Sequence, residues 1–355
     1  MIDIAIRTAG QAKLRPPSNE LGFGQYFTDH MFMMEYEPER GWHDPRIIPY
    51  GPIALDPASS ALQYAQEIFE GFKAIRGLDG AVRLFRPDRH AARLCQSARR
   101  LCMPDVPTEV LLEAVTALVR LEQDWVPSAP STALYLRPTM IGTEGFLGVR
   151  PSRTYTFYII ASPVGSYYEG GFTPVSIWIE EACVRAARGG LGAAKTGANY
   201  AASLYAAEQA RARGYAQVVW LDAAEHKYLE EVGTMNMFVQ IGDAFITPPL
   251  EGSILDGVTR NSIIALLRDW NCEIIERPVS VDEIQRAHAD GRLKEVFGCG
   301  TAAVISPVGE LGYKDQKLVI NDKQPGAMAQ RLFAELTGIQ RGSVPDRHGW
   351  LRAID

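Results

Sequence analysis

A stretch rich in glycine, tyrosine and proline, VGSYYEGGFTP at residues 164–174, divides this sequence into two halves. Its glycines interrupt both helical and strand periodicity, so we predict an interdomain linker there. A chain of 355 residues also exceeds the size at which one hydrophobic core usually stops growing. The sequence therefore predicts two domains, residues 1–163 and residues 175–355.

Helical and strand patterns are mixed in the first half. Pro87-Asp88 begins a pattern in which apolar residues recur three to four positions apart, and this helix should end near Pro104. The other predicted elements are a helix at 110–125 and strands at 31–36, 81–85, 133–142 and 154–164.

The second half has the same mixture, which favours an α+β fold for the whole chain. Gly214 is the predicted residue after the end of a helix that begins near residue 199. Gly242-Asp243 is a predicted hairpin turn within TMNMFVQIGDAFITP. The remaining predictions are strands at VSIWI (175–179) and QVVWLD, a helix from Val258 to Trp270, and a strand-turn-strand unit at EVFGCGTAAVISPVGEL.

Charge and cysteine content narrow the class of partner. The net charge is −6 and there is no basic tract, which argues against nucleic acid and anionic membranes and favours a small metabolite. Five cysteines without a C-x-x-C pair suggest neither a disulfide framework nor a metal site.

The start MIDIAIRTAG does not resemble a secretory leader, and no segment offers about 18 uninterrupted apolar residues. We expect a cytoplasmic protein.

The segment GGLGAAKTGANY (189–200) surrounds Lys195 with glycine and alanine. These small residues let backbone and a planar ligand approach closely. A lysine amine becomes a nucleophile when its pKa falls from about 10.4 toward neutrality, or when it is already held as an imine, as pyridoxal phosphate chemistry requires. Composition alone leaves two interpretations, a catalytic lysine or a flexible exposed loop.

A nucleotide-binding alternative comes from the same segment. Gly189 through Thr196 is close to a P-loop pattern, and the strand ending at Asp222 is close to the metal-binding strand of such proteins. However, Ala194 stands where the phosphate-binding loop needs glycine, and the preceding EEACVRAARGG is not an apolar strand. The P-loop hypothesis is therefore the weaker one.

Three further segments could serve a pyridoxal cofactor. Glu231 could hold the proton of the ring nitrogen, although a strand-end carboxylate in water is an alternative. Val258 and Thr259 begin a helix and could bind phosphate, unless Asp256 simply caps that helix. The turn around Thr301 could also bind an anion, or could be an ordinary tight connection.

Several motifs together identify a family. KTGANYAASL occurs with IFEGFKA, RLFRPDRHAARLCQSARRL, EEVGTMNMF, LDGVTRNSI and FGCGTA. In these motifs, from residue 27 to residue 308, the sequence resembles branched-chain amino acid aminotransferases, which are fold-type IV pyridoxal phosphate enzymes. The resemblance implies a small N-terminal α/β domain and a larger C-terminal domain with pyridoxal 5'-phosphate between them. A D-amino acid aminotransferase or an aminodeoxychorismate lyase, both of the same fold type, is the closest alternative.

The resemblance also implies roles for individual residues. Lys195 binds the cofactor covalently and carries the proton between the substrate Cα and the cofactor. Glu231 faces the ring nitrogen and Tyr200 the phenolic oxygen. The remaining cofactor contacts are Arg93, Arg185, Val258, Thr259 and Thr301, although helical periodicity alone makes Arg93 look like a solvated arginine.

The implied reaction moves the amino group of leucine, isoleucine or valine to 2-oxoglutarate, giving glutamate. Arg137 is similar to a residue that meets the distal carboxylate of the second substrate. The FLGVR stretch (146–150), which includes Val149, is similar to a loop that reaches the neighbouring subunit's site, which implies a homodimer. The other implied substrate residues are Phe23, Tyr64, Phe69, Tyr135, Tyr167, Thr234, Thr301 and Ala302. The chain departs from mammalian members, which carry a C-x-x-C pair where it has Ala303 and Ser306.

Overall fold

The structure is a computed structural model that describes residues 2–165 and 172–354. It separates into two compact units. The first contains the described residues of Met1–Glu169 with Ala194–Gly197 and Gly338–Asp355, and the second contains those of Gly170–Ala193 with Ala198–Thr337. Most of the linker predicted at 164–174 lies outside the described residues. Within the described ranges, none of the helices is long and apolar enough to cross a membrane.

The helices and strands are numbered in chain order. The helices are α1 (Ser60–Tyr64), α2 (Pro87–Arg100), α3 (Thr108–Leu121), α4 (Gly197–Ala212), α5 (Val258–Asp269), α6 (Val281–Ala289) and α7 (Ala327–Arg341). The strands of the first half are β1 (Ala5–Ile6), β2 (His30–Glu37), β3 (Gly41–Pro49), β4 (Glu67–Phe69), β5 (Phe72–Arg76), β6 (Val82–Phe85), β7 (Ala133–Gly142) and β8 (Tyr155–Val164). The second half adds β9 (Val175–Glu180), β10 (Gln217–Leu221), β11 (Leu229–Val232), β12 (Met235–Ile241), β13 (Ala244–Thr247), β14 (Ile274–Glu276), β15 (Leu293–Gly300), β16 (Val304–Tyr313), β17 (Gln316–Val319) and β18 (Leu351–Ile354).

The first unit is built on a sheet with the order β1-β3-β2-β8-β7-β5-β6-β18, and β4 also pairs with β7. Strands β7 and β8 are antiparallel over their whole length, from Ala133 opposite Val164 to Gly142 opposite Tyr155. Apolar residues of this sheet pack with those of α2 and α3 into one core. The predicted strands at 31–36, 81–85, 133–142 and 154–164 are confirmed. Both predicted helices are present, but they end at Arg100 and Leu121, earlier than the predicted ends near Pro104 and at residue 125.

The C-terminal residues belong to the first unit. Strand β18 pairs antiparallel with β6, with Leu351 opposite Phe85 and Ile354 opposite Val82. The sequence placed these residues in the second domain because a pairing between such distant segments leaves no local pattern to detect. The short segment Ala194–Gly197, which contains Lys195, also belongs to the first unit, although the chain before Ala194 and after Gly197 lies in the second.

The second unit contains a sheet with the order β11-β10-β9-β16-β15-β12-β13-β14, with β17 paired to β16. Strand β11 also pairs with β12, so the path from β11 to β12 closes on itself. The hairpin predicted at Gly242-Asp243 is confirmed by the pairing of Ile241 with Ala244 and by the positive φ of Gly242. The helix predictions for 199–214 and 258–270 are also confirmed to within two residues.

Candidate active site

Lys195 lies in the first unit, and both its backbone amide and its backbone carbonyl form hydrogen bonds. Its amide donates to Ser97 Oγ of α2 at 2.9 Å, and its carbonyl accepts from the amide of Phe69 at the end of β4 at 3.0 Å. Its Nζ lies 4.9 Å from the centroid of the Phe69 ring. The alternative of a flexible exposed loop is therefore wrong, because two elements of the fold hold this partly buried segment.

Three other predicted substrate residues, Arg137, Tyr135 and Phe23, are linked to the same ring by a series of contacts. The Arg137 guanidinium lies 4.5 Å from the centroid of Phe69 and 5.4 Å from that of Tyr135, and its Nη2 donates to the Tyr135 hydroxyl at 3.2 Å. The Phe23 ring packs edge-on against Tyr135 with centroids 5.0 Å apart. The first unit thus brings an amine, a guanidinium and an aromatic wall to one place.

Arg93 is buried, and the prediction from helical periodicity that it is solvated is wrong. Its Nε donates to Oε1 of Glu70 at 2.7 Å and its Nη2 donates to Oε2 at 2.9 Å. His90 Nδ1 donates to the same Oε2 at 2.8 Å, and the Gly71 amide does so at 3.1 Å. Glu70 therefore fixes the direction of the Arg93 side chain.

The electrostatics of this buried cluster follow from its partners. Burial opposes ionisation of Glu70, but Arg93 and His90 outweigh it and hold the pKa of the Glu70 carboxyl far below its usual range. For His90, burial dominates and lowers the pKa of the imidazole, and the charges of Arg93 and Lys195 act in the same direction. The cluster is an ionised carboxylate and arginine with a histidine that favours its neutral form.

Tyr64 and the FLGVR stretch also meet in the first unit. The Tyr64 hydroxyl donates to the carbonyl of Leu147. Val149 is 87% exposed and Leu147 is 62% exposed, so this loop presents large apolar side chains to solvent. The structure therefore places Tyr64 beside the predicted loop.

In the second unit, Glu231 is buried on β11 and each of its oxygens has a partner. Arg185 Nη2 lies 2.8 Å from Oε2, and Asn236 Nδ2 donates to Oε1 at 3.0 Å and also to the carbonyl of Leu255 at 2.9 Å. The alternative of a strand-end carboxylate in water is wrong, because Glu231 is only 3% exposed. Its carboxylate is held in one orientation by an ion pair and an amide.

Arg185 links Glu231 to a second carboxyl. Its Nη2 also donates to the carbonyl of Ser253, whose hydroxyl donates to Oε1 of Glu230. Burial raises the pKa of Glu230, and the Ser253 hydrogen bond opposes that rise. The buried Nε of Arg185 has no hydrogen-bond partner among residues 2–165 and 172–354. Such an atom is costly to bury unless a ligand or water satisfies it.

Helix α5 begins with the two residues predicted to bind phosphate, Val258 and Thr259. The residue at its N-cap position is Gly257. The first amides of a helix have no partner within it and favour an anion. A side chain on Gly257 would collide with Oδ1 of Asn236, so the residue that holds Glu231 also packs against the start of α5.

The remaining predicted residues of the second unit lie on or beside these elements. Tyr200 is partly buried on α4, and Thr234 is exposed in the turn between β11 and β12. Thr301 and Ala302 are partly buried in the turn between β15 and β16. Tyr167 lies outside the described residues.

The P-loop hypothesis fails on its second element. The Asp222 carboxylate accepts hydrogen bonds from backbone amides of its own turn, including those of Glu225 at 2.7 Å and Tyr228 at 2.8 Å. Both oxygens are used in this way, by further amides of Ala224 and Lys227. Asp222 closes the turn after β10 and does not have the environment of a magnesium ligand.

Three contacts in these clusters were missed by sequence reasoning. Glu70 and His90 organise Arg93, and Asn236 holds Glu231. The motifs IFEGFKA and EEVGTMNMF contain Glu70 and Asn236, but nothing local indicates what these side chains touch. A polar residue close to a glycine within an apolar motif is the signal that could have found Glu70 and Asn236.

Comparisons with known proteins identify the family of this chain. Residues 67–311 match the model of the family described as amino-transferase class IV. Branched-chain-amino-acid aminotransferase 2 of Bacillus subtilis is 51% identical over 351 residues, which covers 99% of this chain and 97% of that protein. The crystal structure of the Escherichia coli branched-chain amino acid aminotransferase has a TM-score of 0.78 at 26% identity, covering 92% of this chain and 99% of that one.

A third comparison carries a bound molecule. The branched-chain aminotransferase from the thermophilic archaeon Thermoproteus uzoniensis, crystallised with norvaline, has a TM-score of 0.77 at 26% identity, covering 92% of this chain and 100% of that one. These similarities extend over both units of the chain. The chain belongs to the class IV aminotransferases and, within that family, to the branched-chain-amino-acid aminotransferases.

Proposed function

We propose that this aminotransferase moves the amino group of L-leucine, L-isoleucine or L-valine to 2-oxoglutarate, reversibly, with pyridoxal 5'-phosphate bound at Lys195. The observation that carries the proposal is the Phe69 ring, which is contacted by both the Lys195 amine and the Arg137 guanidinium. A reactive amine and a recognition group for a carboxylate thereby share one apolar surface.

The residues of each unit fit the cofactor. Pyridoxal phosphate needs an amine, an acid at its ring nitrogen and donors for its phosphate. Thr196 Oγ1, next to Lys195, and Arg185 Nε, beside Glu231, are buried and have no hydrogen-bond partner within the described ranges. The start of α5 offers amides to an anion. Unsatisfied donors next to the proposed amine and acid support a polar ligand at these positions.

Each residue then has a defined task. When bound, the cofactor supplies an electron-accepting ring that stabilises negative charge at the substrate Cα. The Lys195 amine would remove the Cα proton as a general base and deliver a proton to the cofactor, and in the second half of the reaction it would carry a proton from the cofactor to the Cα of the new amino acid. Glu231, held by Arg185 and Asn236, keeps the ring nitrogen protonated. We assign Tyr200 to the phenolic oxygen and Arg93, Val258, Thr259 and Thr301 to the phosphate.

The substrate side chain meets aromatic walls. Burying a branched side chain gains about 25 cal/mol for each Å² of apolar surface removed from water. Arg137 would meet the distal carboxylate of 2-oxoglutarate or glutamate, for which a guanidinium offers two parallel donors. The other residues that we assign to substrate are Phe23, Tyr64, Phe69, Tyr135, Val149, Tyr167, Thr234, Thr301 and Ala302.

Exposed apolar residues support an assembly of at least two copies, such as a homodimer. Leu147 and Val149 stand in solvent on the loop that we propose to enter the neighbouring subunit's site. Sedimentation of the purified protein should give at least twice the chain mass of 39.1 kDa. A monomer with full activity would contradict this assignment.

Steady-state rates test the proposed reaction. Glutamate formation from 2-oxoglutarate should be fast with L-leucine and negligible with D-alanine, and 4-amino-4-deoxychorismate should not be cleaved. Lys195→Ala should abolish turnover, while Lys227→Ala, which changes an exposed lysine in a turn, should retain it. Activity confined to D-alanine or to 4-amino-4-deoxychorismate would refute the substrate assignment.

A further inference from the structure

Glu67 lies on the same face of the first-unit sheet as the Lys195 site. Residues two apart on a strand share a face, so Glu67 and Phe69 of β4 point the same way. Across the pairing of β4 with β7, Phe69 is opposite Thr139 and Glu67 is opposite Ile141. Arg137, two residues before Thr139 on β7, lies on this face too and covers the Phe69 ring.

The carboxylate of Glu67 is also close to the lysine segment. Its Oε1 lies against Gly197, two residues after Lys195, and a side chain at position 197 would collide with it. Burial raises the pKa of Glu67, and the charge of Arg137 opposes that rise. Glu67 is therefore a partly buried carboxyl in the field of Arg137, with Phe69 between them on the strand pair.

Any enzyme with the proposed reaction faces a conflict in this pocket, because one site receives an apolar side chain in one half-reaction and a carboxylate in the other. The charge of a partly buried arginine such as Arg137 becomes less favourable when an apolar group displaces water around it, and a nearby carboxylate offsets that cost. We infer that Glu67 is a specificity-determining residue that compensates Arg137 when an apolar side chain is bound and competes with the distal carboxylate of the acidic substrate. This inference deepens the proposed function and rests on it.

The test is the ratio of kcat/KM for L-leucine to kcat/KM for L-glutamate. Glu67→Gln keeps the shape of the side chain and removes its charge. The variant should bind glutamate and 2-oxoglutarate more tightly and leucine more weakly, with most of the change in KM. We expect the ratio to fall about tenfold, which corresponds to about 1.4 kcal/mol.

A double-mutant cycle identifies the partner. In an Arg137→Gln background, the additional Glu67→Gln change should leave the ratio unaltered, because the charge that Glu67 compensates is gone. Glu35→Gln is the control, since it removes a partly buried carboxylate near an arginine, Arg46, elsewhere in the same sheet. It should not alter the ratio.

The possible results distinguish a failure of this inference from a failure of the proposed reaction. A folded, cofactor-loaded Glu67→Gln variant whose ratio stays within twofold of the parent enzyme would overturn the inference, as would an equal shift in the Arg137→Gln background. If the glutamine variant does not fold, Glu67→Ser gives the same charge change with less bulk beside Gly197. Failure of the parent enzyme to make glutamate from leucine would overturn the proposed function together with this inference.

Discussion

Each unit of this enzyme holds a buried glutamate beside an arginine, but the two pairs are built differently. In the first unit, Glu70 accepts four hydrogen bonds, two from Arg93, one from His90 and one from the Gly71 amide. In the second unit, Glu231 is held by Arg185 on one oxygen and by the neutral amide of Asn236 on the other.

The difference indicates different tasks. A carboxylate offers about four acceptor positions, and Glu70 uses that number on protein donors alone. Its role is to orient Arg93. Arg185, by contrast, divides Nη2 between Glu231 and the Ser253 carbonyl and leaves Nε without a partner among the described residues. The unpartnered Nε beside Glu231 supports our proposal that Glu231 is the acid at the cofactor ring.

Among substitutions in the two glutamate–arginine pairs, Glu231→Gln should have the largest effect on turnover. A neutral amide cannot keep the ring nitrogen protonated, so we expect kcat to fall about a thousandfold, or about 4 kcal/mol. Stopped-flow rates on folded, cofactor-loaded protein measure this directly. Glu225→Gln, in an exposed turn, is the control and should behave as the parent enzyme. A loss of less than tenfold at Glu231 would remove the distinction between the two pairs.

Glu70→Gln should instead affect stability and cofactor retention. Removing one partner of a buried ion pair leaves Arg93 uncompensated, which costs about 3 kcal/mol of the free energy of unfolding. Urea unfolding measures this cost, and equilibrium dialysis should show weaker binding of pyridoxal phosphate. At saturating cofactor, kcat should stay within a few fold of the parent value. A thousandfold loss of kcat at saturation would show that Glu70 takes part in the chemistry.

Lys73 is a partly buried cation of the first unit. Burial lowers the pKa of its amine from 10.5 to about 8. Between these two values the unfolded chain binds more protons than the folded one, so the stability of the parent enzyme should rise with pH in that window. Lys73→Met removes the charge and should lack this rise. At neutral pH the variant should be more stable by about 2 kcal/mol, measured by urea unfolding. If the free energy of unfolding depended on pH in the same way in both proteins, the lowered pKa of Lys73 would be contradicted.

Asn236→Ala should have the smallest effect of the four. It removes the donor to Glu231 Oε1 but keeps the Arg185 ion pair, so we expect about a tenfold loss of kcat, which is about 1.4 kcal/mol. Because Asn236 also contacts Gly257 at the start of α5, the Kd for pyridoxal phosphate should rise as well. Unchanged kcat would mean that Arg185 alone orients Glu231.

Local pattern in the sequence was enough to predict much of the fold. Strand β7 was predicted with its observed ends because its apolar run is bounded by turn residues, and α5 because its apolar residues recur at helical spacing. Strand β18 could not be predicted, since its pairing partner β6 lies far away in the first half of the chain. Short periodic elements reveal themselves locally, whereas pairing between distant segments does not.

The residues of the candidate site show the same contrast between local pattern and distant contacts. Lys195 is singled out by its small neighbours and Glu231 by its position just before a strand of small residues, whereas the resemblance to a family supplies Arg93. Periodicity misjudged Arg93 because its partner Glu70 lies 23 residues away on a different element. Glu67 has no local signature either, since its significance depends on Arg137 and Gly197, which three-dimensional folding brings near it.

The central claim is the covalent attachment of pyridoxal phosphate to Lys195. Reduction of the purified holoenzyme with borohydride, followed by proteolysis and mass spectrometry, tests it directly. The account predicts one modified peptide, with the reduced cofactor on Lys195. Modification of another lysine, such as the partly buried Lys73, or recovery of unmodified peptides only, would contradict it.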